Sequence, residues 1–447
     1  MRIKELALDL SPLRAGGPLG IVLAARVLAL LCIGLTSVGV VVQVYEQTGS
    51  SAQVGTVSLV LAVGLLMGFL VGGVLADRRD RRGLILLGSG WAVVTFGVLA
   101  LNASADQPML SVVYASGALF GLTEGVAETA LTAVVPALVR EEHIPATGAL
   151  VTVSTTLGAV AGPMLGGVLI AGPGLAATFG LAAAGTALTT LLLTRLGPMP
   201  PVAENAADRN GAPDTNGGPS KDRGVLADLK EAFGFIRASR VVSAVLVVDL
   251  CVAVFATPNA LFPEIAERRL GGGPELVGLL TTAPMIGAAL ASVVSGWTGR
   301  ATHHWRILCG AVAAWGLACI GFGLSPHLGL GLFFLALGGV ADTISEIMRR
   351  ILLMTHTPDP LQGRVSSLWL AQAVTAPALG GVLAGLGSSA FGPVTAVAAG
   401  GVLCLAALAV VALAYRSLWH QRSLPARAFA DEDENAPGHN GGATASA

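Results

Sequence analysis

Residues 72–83 read GGVLADRRDRRG, a cluster of four arginines and two aspartates between two long apolar segments. The preceding segment, residues 54–76, contains no ionisable side chain. Such an abrupt change from apolar to charged residues is typical of the point at which a helix leaves the hydrocarbon core of a bilayer. The stretch therefore predicts a short loop between two membrane-spanning helices.

The composition of the whole chain agrees with a membrane protein. Hydrophobic residues make up 53% of the 447 residues and charged residues only 12%, and the mean hydropathy is +0.74. A water-soluble protein of this size could not cover its surface with so few polar groups. The formal charge of -1 and the scattered arginines argue against a nucleic-acid partner. The five cysteines lie in apolar runs without metal-ligand spacing, so we expect no metal site and no disulfide framework.

A membrane span needs roughly 20 mostly apolar residues, and the chain offers twelve such segments. We therefore predict an all-α membrane protein with twelve transmembrane helices. The predicted spans are residues 19–44, 53–76, 84–103, 109–137, 147–171, 174–194, 241–263, 276–298, 307–325, 328–354, 365–386 and 392–415.

The positions of the arginines predict the orientation, because basic residues near helix ends tend to stay in the cytoplasm. In a model with twelve spans nearly all of the loop arginines fall on one side, and only Arg268 and Arg269 fall on the other. We expect both termini to be cytoplasmic: residues 1–18, and a disordered tail of residues 416–447. Residues 197–239 form a cytoplasmic linker with an amphipathic helix near residues 225–236, which we expect to lie along the membrane surface.

This linker separates two halves that resemble each other, residues 19–196 and residues 240–415. PMLGGVL at residues 163–169 matches PALGGVL at residues 377–383. In the fourth span of each half, a glycine is followed at the same spacing by two acids: Gly121, Glu124 and Glu128, and Gly339, Asp342 and Glu346. The repeats predict two six-helix bundles with pseudo-twofold symmetry, an architecture used by rocking transporters.

The acidic residues inside the spans are the candidates for function. Glu124 and Glu128 lie four residues apart and so share a helix face. A carboxylate at this depth must be paired, hydrated in a cavity or protonated. We interpret the pair as proton-coupling or cavity residues, and the alternative is a structural hydrogen bond between helices.

Further charged and polar residues complete this candidate set. Glu346 precedes Arg350 at the favourable spacing for an ion pair within a helix, so a purely structural role is an equal alternative there. Arg26 is a candidate partner for Glu128 or Glu124, or for an anionic substrate, and it could instead extend to the membrane surface. Besides Glu124 and Glu128, the candidate set therefore comprises Arg26, Asp249, Asn259, Asp342 and Glu346.

The charged loop quoted at the outset resembles the signature loop of the major facilitator superfamily, through Gly73, Asp77, Arg78, Arg81 and Arg82. The resemblance implies that the glycine permits close helix approach and that the charged residues form a cytoplasmic gate. The chain departs from the pattern at Asp80, where the family has glycine, and in the second half, where Arg300 replaces the aspartate. A plain topology anchor is the alternative.

The fifth span carries GAVAGPMLGG at residues 158–167, which resembles the glycine and proline motif of drug-proton antiporters. Glycines let helix backbones approach closely and a proline bends the helix, so tight packing without a transport role is the alternative. The candidate packing residues are Gly158, Gly162, Pro163, Gly166, Gly167 and Pro377.

Within the superfamily, four segments are similar to the enterobactin exporters of enteric bacteria: residues 71–87, 181–188, 232–239 and 355–375. The resemblance implies proton-coupled export of a siderophore across the bacterial inner membrane by a monomer. The chain has no GxxxxGK[ST], HExxH or GxSxG motif, so we expect no ATP hydrolysis, no enzyme activity and no cofactor. Its partners would be a small-molecule substrate, protons and the lipid bilayer. A general multidrug exporter and a non-transporting membrane sensor are the alternatives.

Overall fold

A computed structural model describes residues 19–76, 79–134, 144–195 and 225–420. Within these ranges the chain forms helices and short connections, without a β-strand. Twelve helical segments are long and apolar enough to cross a bilayer. The predicted all-α fold with twelve spans is therefore confirmed, and the chain is a multi-pass membrane protein.

The first half consists of six helices. They are α1 (Leu19–Thr48), α2 (Ser51–Ala76), α3 (Arg81–Ala103), α4 (Leu110–Val134), α5 (Ile144–Ala171) and α6 (Leu175–Leu193).

The amphipathic helix and the second half follow. They are α7 (Val225–Ala238), α8 (Arg240–Phe255), α9 (Phe262–Arg268), α10 (Pro274–Val294), α11 (His304–Leu324), α12 (Leu328–His356), α13 (Asp359–Phe391) and α14 (Pro393–Ala414). Short 3₁₀ helices occupy Asn259–Leu261, Ser295–Arg300 and Arg416–His420.

The seventh span differs from its prediction, because it is broken where residues 241–263 were expected to form one helix. Helix α8 ends at Phe255, and a 3₁₀ turn precedes the short helix α9. Pro258 lies in the break, and a proline has no N–H to continue the hydrogen-bond ladder. The carbonyl of Ala256 accepts instead from the indole Nε1 of Trp315 on α11, at 2.8 Å. The break places Asn259 inside the membrane-spanning region.

Each half packs mainly within itself, and the halves meet chiefly through two helix pairs: α2 with α13, and α5 with α10. We call the end of the bundle at which α1 begins and α6 ends the linker side, and the opposite end the far side. Arg82, at the start of α3, donates to the carbonyl of Thr194 just after α6 at 2.6 Å, which ties two helix ends together on the linker side.

The repeated PxLGGVL motifs make equivalent contacts in the two halves. A β-carbon placed on Gly166 would lie 3.1 Å from α1, and one on Gly380 would lie 2.5 Å from the equivalent helix α8. A β-carbon on Gly167 would lie 2.6 Å from α10 of the other half. One on Gly55 of α2 would lie 2.5 Å from the backbone of Gly381, across the same boundary. The first glycine of each motif thus packs within its half, and the second packs across the boundary.

Helix α7 lies close to its predicted position but packs against the second half. Ala232 is fully buried, and Phe235 and Ile236 contact the core of that half. Glu231 accepts from Arg364 on α13 at 2.7 Å. On the apolar face of this helix, Ile236 packs on protein and Phe233 is exposed. The helix therefore docks on the second half through one side, and Phe233 leaves part of its apolar face exposed.

Candidate functional site

The first half contains a charged group between α1, α4 and α5. A guanidinium nitrogen of Arg26 lies 3.1 Å from Oε1 of Glu128, and Nε of Arg26 donates to Oγ1 of Thr155 at 3.3 Å. The side chains of Arg26 and Glu128 are 15% and 33% exposed. Arg26 is thus held inside the bundle by an ion pair, so the alternative in which it extends to the membrane surface is wrong.

Glu124 lies one turn away from Glu128 and lines the same small cavity of about 70 Å³, which we call the N-half pocket. Its walls come from α1, α3, α4 and α6, and include Arg26, Ser89 and Thr189. Two carboxylates therefore share one pocket with one arginine. The single guanidinium of Arg26 faces two carboxylates and can balance only one negative charge.

The second half contains a larger cavity of about 450 Å³, which we call the C-half cavity. It is bordered by α8, α10, α11, α12, α13 and the break after α8. The predicted residues that line it are Asp249, Asn259, Asp342, Glu346 and Pro377. Residues that were up to 128 positions apart in the sequence thus meet around one space of the size of a small-molecule site.

Arg349 is the centre of the polar network in this cavity. It forms an ion pair with Asp249 on α8, and a second guanidinium nitrogen lies 3.4 Å from Oδ1 of Asp342. Gln372 on α13 donates to Oδ2 of Asp249 at 2.8 Å. Arg349 and Asp249 are almost fully buried, whereas the Asp342 side chain is 46% exposed to the cavity. The network therefore presents one buried ion pair and one accessible carboxylate.

Glu346 pairs with Arg350 within α12, as its spacing predicted, at 3.4 Å. Both side chains are at least half exposed, and the guanidinium of Arg350 lies 5.7 Å from the ring centre of Trp369. An arginine over an indole ring forms a cation–π contact. This wall of the cavity can thus receive an anionic or aromatic group.

The gate motif lies at the linker side. Asp77 and Arg78 lie outside the described residues. Among the described residues, none comes within 4 Å of a β-carbon placed on Gly73, so they show no close helix approach at this glycine in this conformation. Its neighbour Gly72 makes that contact, because its β-carbon would lie 2.8 Å from Val126 on α4. Arg81 is buried at the start of α3, and the side chain of Arg82 caps α6.

The departure from the motif at Asp80 has a local explanation. Its carboxylate accepts from the backbone N–H of Arg82 at 3.1 Å and caps the first turn of α3. An aspartate is among the preferred N-cap residues, and it also interacts favourably with the helix dipole. Asp80 therefore caps the N-terminus of α3 at the position where the family pattern has glycine.

The glycines of the fifth span lie along α1. β-carbons on Gly158 and Gly162 would lie 2.5 Å and 2.9 Å from atoms of α1. The carbonyl of Pro163 would lie 2.7 Å from a β-carbon on Gly278 of α10. The motif thus packs α5 on its own half and, at its end, on the other half.

Comparison with known proteins identifies the family. The sequence profile described as Major Facilitator Superfamily matches residues 22–263 and again residues 250–437. The chain belongs to the Major Facilitator Superfamily. The two matches correspond to the two halves that the sequence repeats indicated.

Among curated proteins of the superfamily, the chain is 32% identical to the enterobactin exporter EntS of Escherichia coli K12, over 97% of this chain and all of that protein. It is 34% identical to the enterobactin exporter EntS of Citrobacter koseri, over 86% of this chain and 88% of that one.

Solved structures share the superfamily fold at low sequence identity. A POT family transporter in complex with 5-aminolevulinic acid has a TM-score of 0.71 and 14% identity, covering 90% of this chain and 96% of that one. The nucleoside transporter NupG has a TM-score of 0.67 and 12% identity, covering 90% and 99%. These structures support the fold alone.

Two residues important to the arrangement were not among the predicted site residues. One of them is Arg349, which forms the ion pair with Asp249. Glu264, on α9, is 4% exposed and contacts both halves. The sequence offers one signal for Glu264, which is Arg268, one of the two arginines that fall on the side opposite to the other loop arginines. Glu264 lies four residues before Arg268, and the two side chains pair at 2.7 Å.

Proposed function

We propose that this superfamily transporter exports a siderophore of the enterobactin type, in exchange for protons, by alternating access. The observation that carries the proposal is the identity of 32% with an enterobactin exporter over 97% of this chain, without loss of either half. The C-half cavity supports it, because Arg350, Trp369 and the exposed carboxylate of Asp342 offer charged and aromatic contacts to a small molecule.

Proton coupling is proposed from the carboxylates. Glu124 and Glu128 share the N-half pocket with Arg26, and Asp342 and Glu346 line the C-half cavity. Substrate entering the space between the halves would favour release of protons from these groups, and proton binding would favour the return. The protein performs no covalent chemistry on the substrate in this scheme.

We place the linker side in the cytoplasm and the far side in the periplasm. Arg82, Arg306 and Arg364 lie at linker-side helix ends, which is the distribution expected for cytoplasmic loops. Both termini would then be cytoplasmic, and the protein would act as a monomer in the bacterial inner membrane, surrounded by lipid.

The proposal is tested by comparing culture supernatants of an iron-starved deletion strain with those of its parent. We expect one secreted iron-binding metabolite to fall in the deletion strain and to recover when the wild-type gene is restored. Complementation with the Asp342→Asn variant, which alters the exposed carboxylate of the C-half cavity, should recover less. An unchanged set of secreted metabolites would refute siderophore export.

A general multidrug exporter is a second candidate, favoured by the apolar part of the C-half cavity, which includes Val252, Met285 and Leu370. Flexible and apolar walls suit promiscuous binding. A panel of dyes and antibiotics in an export-deficient host distinguishes the two functions, because only a multidrug exporter would lower sensitivity to several unrelated compounds.

A further inference from the structure

The linker-side ends of α12 and α13 enclose a second cavity in the second half. It has a volume of about 330 Å³ and is lined by residues between Arg350 and Thr357 of α12 and between Gln362 and Leu370 of α13. We call this cavity the α12–α13 slot. Small-molecule sites usually measure roughly 300–1,000 Å³, so the slot is large enough for a small molecule or for one part of a larger one.

The slot adjoins the C-half cavity. Arg350, Trp369 and Leu370 line both spaces, and the side chains of Arg350 and Leu370 are exposed. The remaining residues of the slot lie nearer to the linker-side ends of the two helices than these three do. A molecule that moves from the linker side into the C-half cavity can therefore occupy the slot first.

Arg350 gives the slot a positive charge. Among the described residues that line the slot, it is the only one with an ionisable side chain. Its partner Glu346 lies 3.4 Å away, and both side chains of this pair are at least half exposed. Exposed ion pairs are weak, whereas a guanidinium forms strong charge-assisted hydrogen bonds with a carboxylate. An incoming anion can thus compete with Glu346 for Arg350.

Two hydrogen-bond donors in the slot lack an acceptor. Thr357 is only 6% exposed, and its hydroxyl has no hydrogen-bond partner among the described residues. The indole Nε1 of Trp369 is likewise buried without an acceptor in the described part of the chain. Buried polar groups are normally hydrogen-bonded, and an unpaired one is unfavourable. A ligand with acceptor oxygens would satisfy both groups.

The other walls of the slot suit an aromatic ring. Leu353 and Val365 are buried at its base, and the exposed thioether of Met354 lies at its edge. Aromatic rings pack favourably on other rings and on methionine sulfur. The guanidinium of Arg350 already lies 5.7 Å from the ring centre of Trp369, so a ring and a negative charge can be bound side by side.

We propose that the α12–α13 slot is a binding site for an aromatic anion, separate from the C-half cavity. Arg350 binds the negative charge, Trp369 and Met354 contact the ring, and Thr357 donates to an oxygen of the ligand. The inference rests on the proposed export function and deepens it, because the exported molecule would occupy the slot on its way from the linker side to the C-half cavity.

The test observes single tryptophans in the full-length protein. The six tryptophans are replaced by 5-fluorotryptophan, and fluorine NMR spectra are recorded in phosphatidylcholine nanodiscs at neutral pH. Trp369 lines both spaces, whereas Trp315 lines the C-half cavity and not the slot. Their resonances are assigned by their absence in Trp369→Phe and Trp315→Phe. We expect salicylate to shift the Trp369 resonance saturably and to leave that of Trp315 unchanged.

Two analogues separate the contributions of charge and ring. Salicylamide lacks the negative charge and cyclohexanecarboxylate lacks the aromatic ring, so both should bind several-fold more weakly than salicylate. The absence of a saturable shift of Trp369, a shift of Trp315 with Trp369 unchanged, or equal affinity for salicylate and either analogue would overturn the inference.

Substitutions in the slot test the assigned contacts. Arg350→Gln removes a charge-assisted contact and should weaken salicylate binding about ten- to hundredfold. Arg240→Gln is the matched control, because Arg240 is an exposed linker-side arginine that lines neither space. Thr357→Val should weaken binding about two- to tenfold. It should not lower the unfolding temperature, because the hydroxyl it removes has no partner among the described residues.

Ser366→Leu fills the slot without a change of charge. Ser366 is exposed and lines the slot but not the C-half cavity. The variant should abolish the response of Trp369 to salicylate, and an unchanged Trp315 resonance would show that the fold is intact. Wild-type affinity in Ser366→Leu or in Arg350→Gln would overturn the inference. Failure of the export proposal would appear in the supernatant comparison and would leave these titrations unaffected.

Discussion

Arg26 on α1 and Glu128 on α4 form an ion pair of 3.1 Å inside the first half. The second half also pairs its first and fourth helices, through Asp249 on α8 and Arg349 on α12, but with the charges exchanged. The repeated architecture thus carries an inverted charge pair. This arrangement leaves the two halves able to respond differently to the same proton or substrate.

Glu128→Gln should abolish uphill transport and keep downhill flux. The substitution removes the carboxylate that pairs with Arg26 and so removes the group proposed to exchange protons. The measurement is flux in proteoliposomes with and without an imposed pH gradient, with Glu124→Gln examined in parallel. Asp106→Asn, at an exposed position just after α3, is the control. Unchanged uphill transport in both Glu128→Gln and Glu124→Gln would refute proton coupling through this pocket.

Asp249→Asn should lower the free energy of unfolding by about 3–5 kcal/mol, because it leaves the buried guanidinium of Arg349 without its closest partner. Glu346→Gln is the matched control, since its pair with Arg350 is 50% and 61% exposed. Exposed pairs contribute about 0–1 kcal/mol. Thermal unfolding in detergent compares the two variants, and equal loss of stability would contradict the importance of the buried pair.

Gly167→Ala should weaken the far-side contact between the halves. The new β-carbon would lie 2.6 Å from the Pro274 carbonyl oxygen, so α5 and α10 would have to move apart. We expect lower transport and a larger far-side distance between spin labels attached at Asp106→Cys and Ala390→Cys, which are exposed positions in the first and the second half. Gly97→Ala makes the same chemical change at a position where no described residue lies within 4 Å of the new β-carbon, and it should behave as wild type. Equal effects would show that helix propensity, and not packing across the boundary, was responsible.

Much of the fold could be predicted because lipid imposes a simple rule on the sequence. Each span must be long, apolar and helical, so the ends of α2, α3 and α5 lie within a few residues of their predicted positions. Repeated glycines also indicated close packing, because a backbone contact requires a small residue. The duplication then identified Glu128 and Glu346 as equivalent positions.

Pairing between distant residues could not be predicted in the same way. Asp249 and Arg349 lie on helices that meet only after the second half has folded, and local spacing favoured Glu346 and Arg350 instead. Glu264 was missed because its partners come from α2, α9 and α13. A contact of this kind depends on the relative position of the two halves, which a periodic apolar pattern does not specify.

The broken seventh span leads to the last prediction, for Trp315→Phe. The indole of Trp315 donates to the Ala256 carbonyl, which the break after α8 leaves without a helical partner. Phenylalanine would leave this carbonyl without its indole donor, at a cost of about 1–3 kcal/mol. Trp91→Phe is the control, because Trp91 is 43% exposed and should lose little stability.

The same substitution should also affect the far side. Helix α8 borders the C-half cavity through Asp249, and α9 carries Glu264. The break therefore connects the wall of the cavity to the far-side contact that Glu264 makes with both halves. Without the indole hydrogen bond, the chain at the break is less rigid. We expect the distance distribution between the spin labels at residues 106 and 390 to broaden and the unfolding temperature to fall. Trp315→Phe could lower the unfolding temperature while the distance distribution stays as narrow as in Trp91→Phe. In that case the break stabilises the fold without transmitting movement between the C-half cavity and the far side.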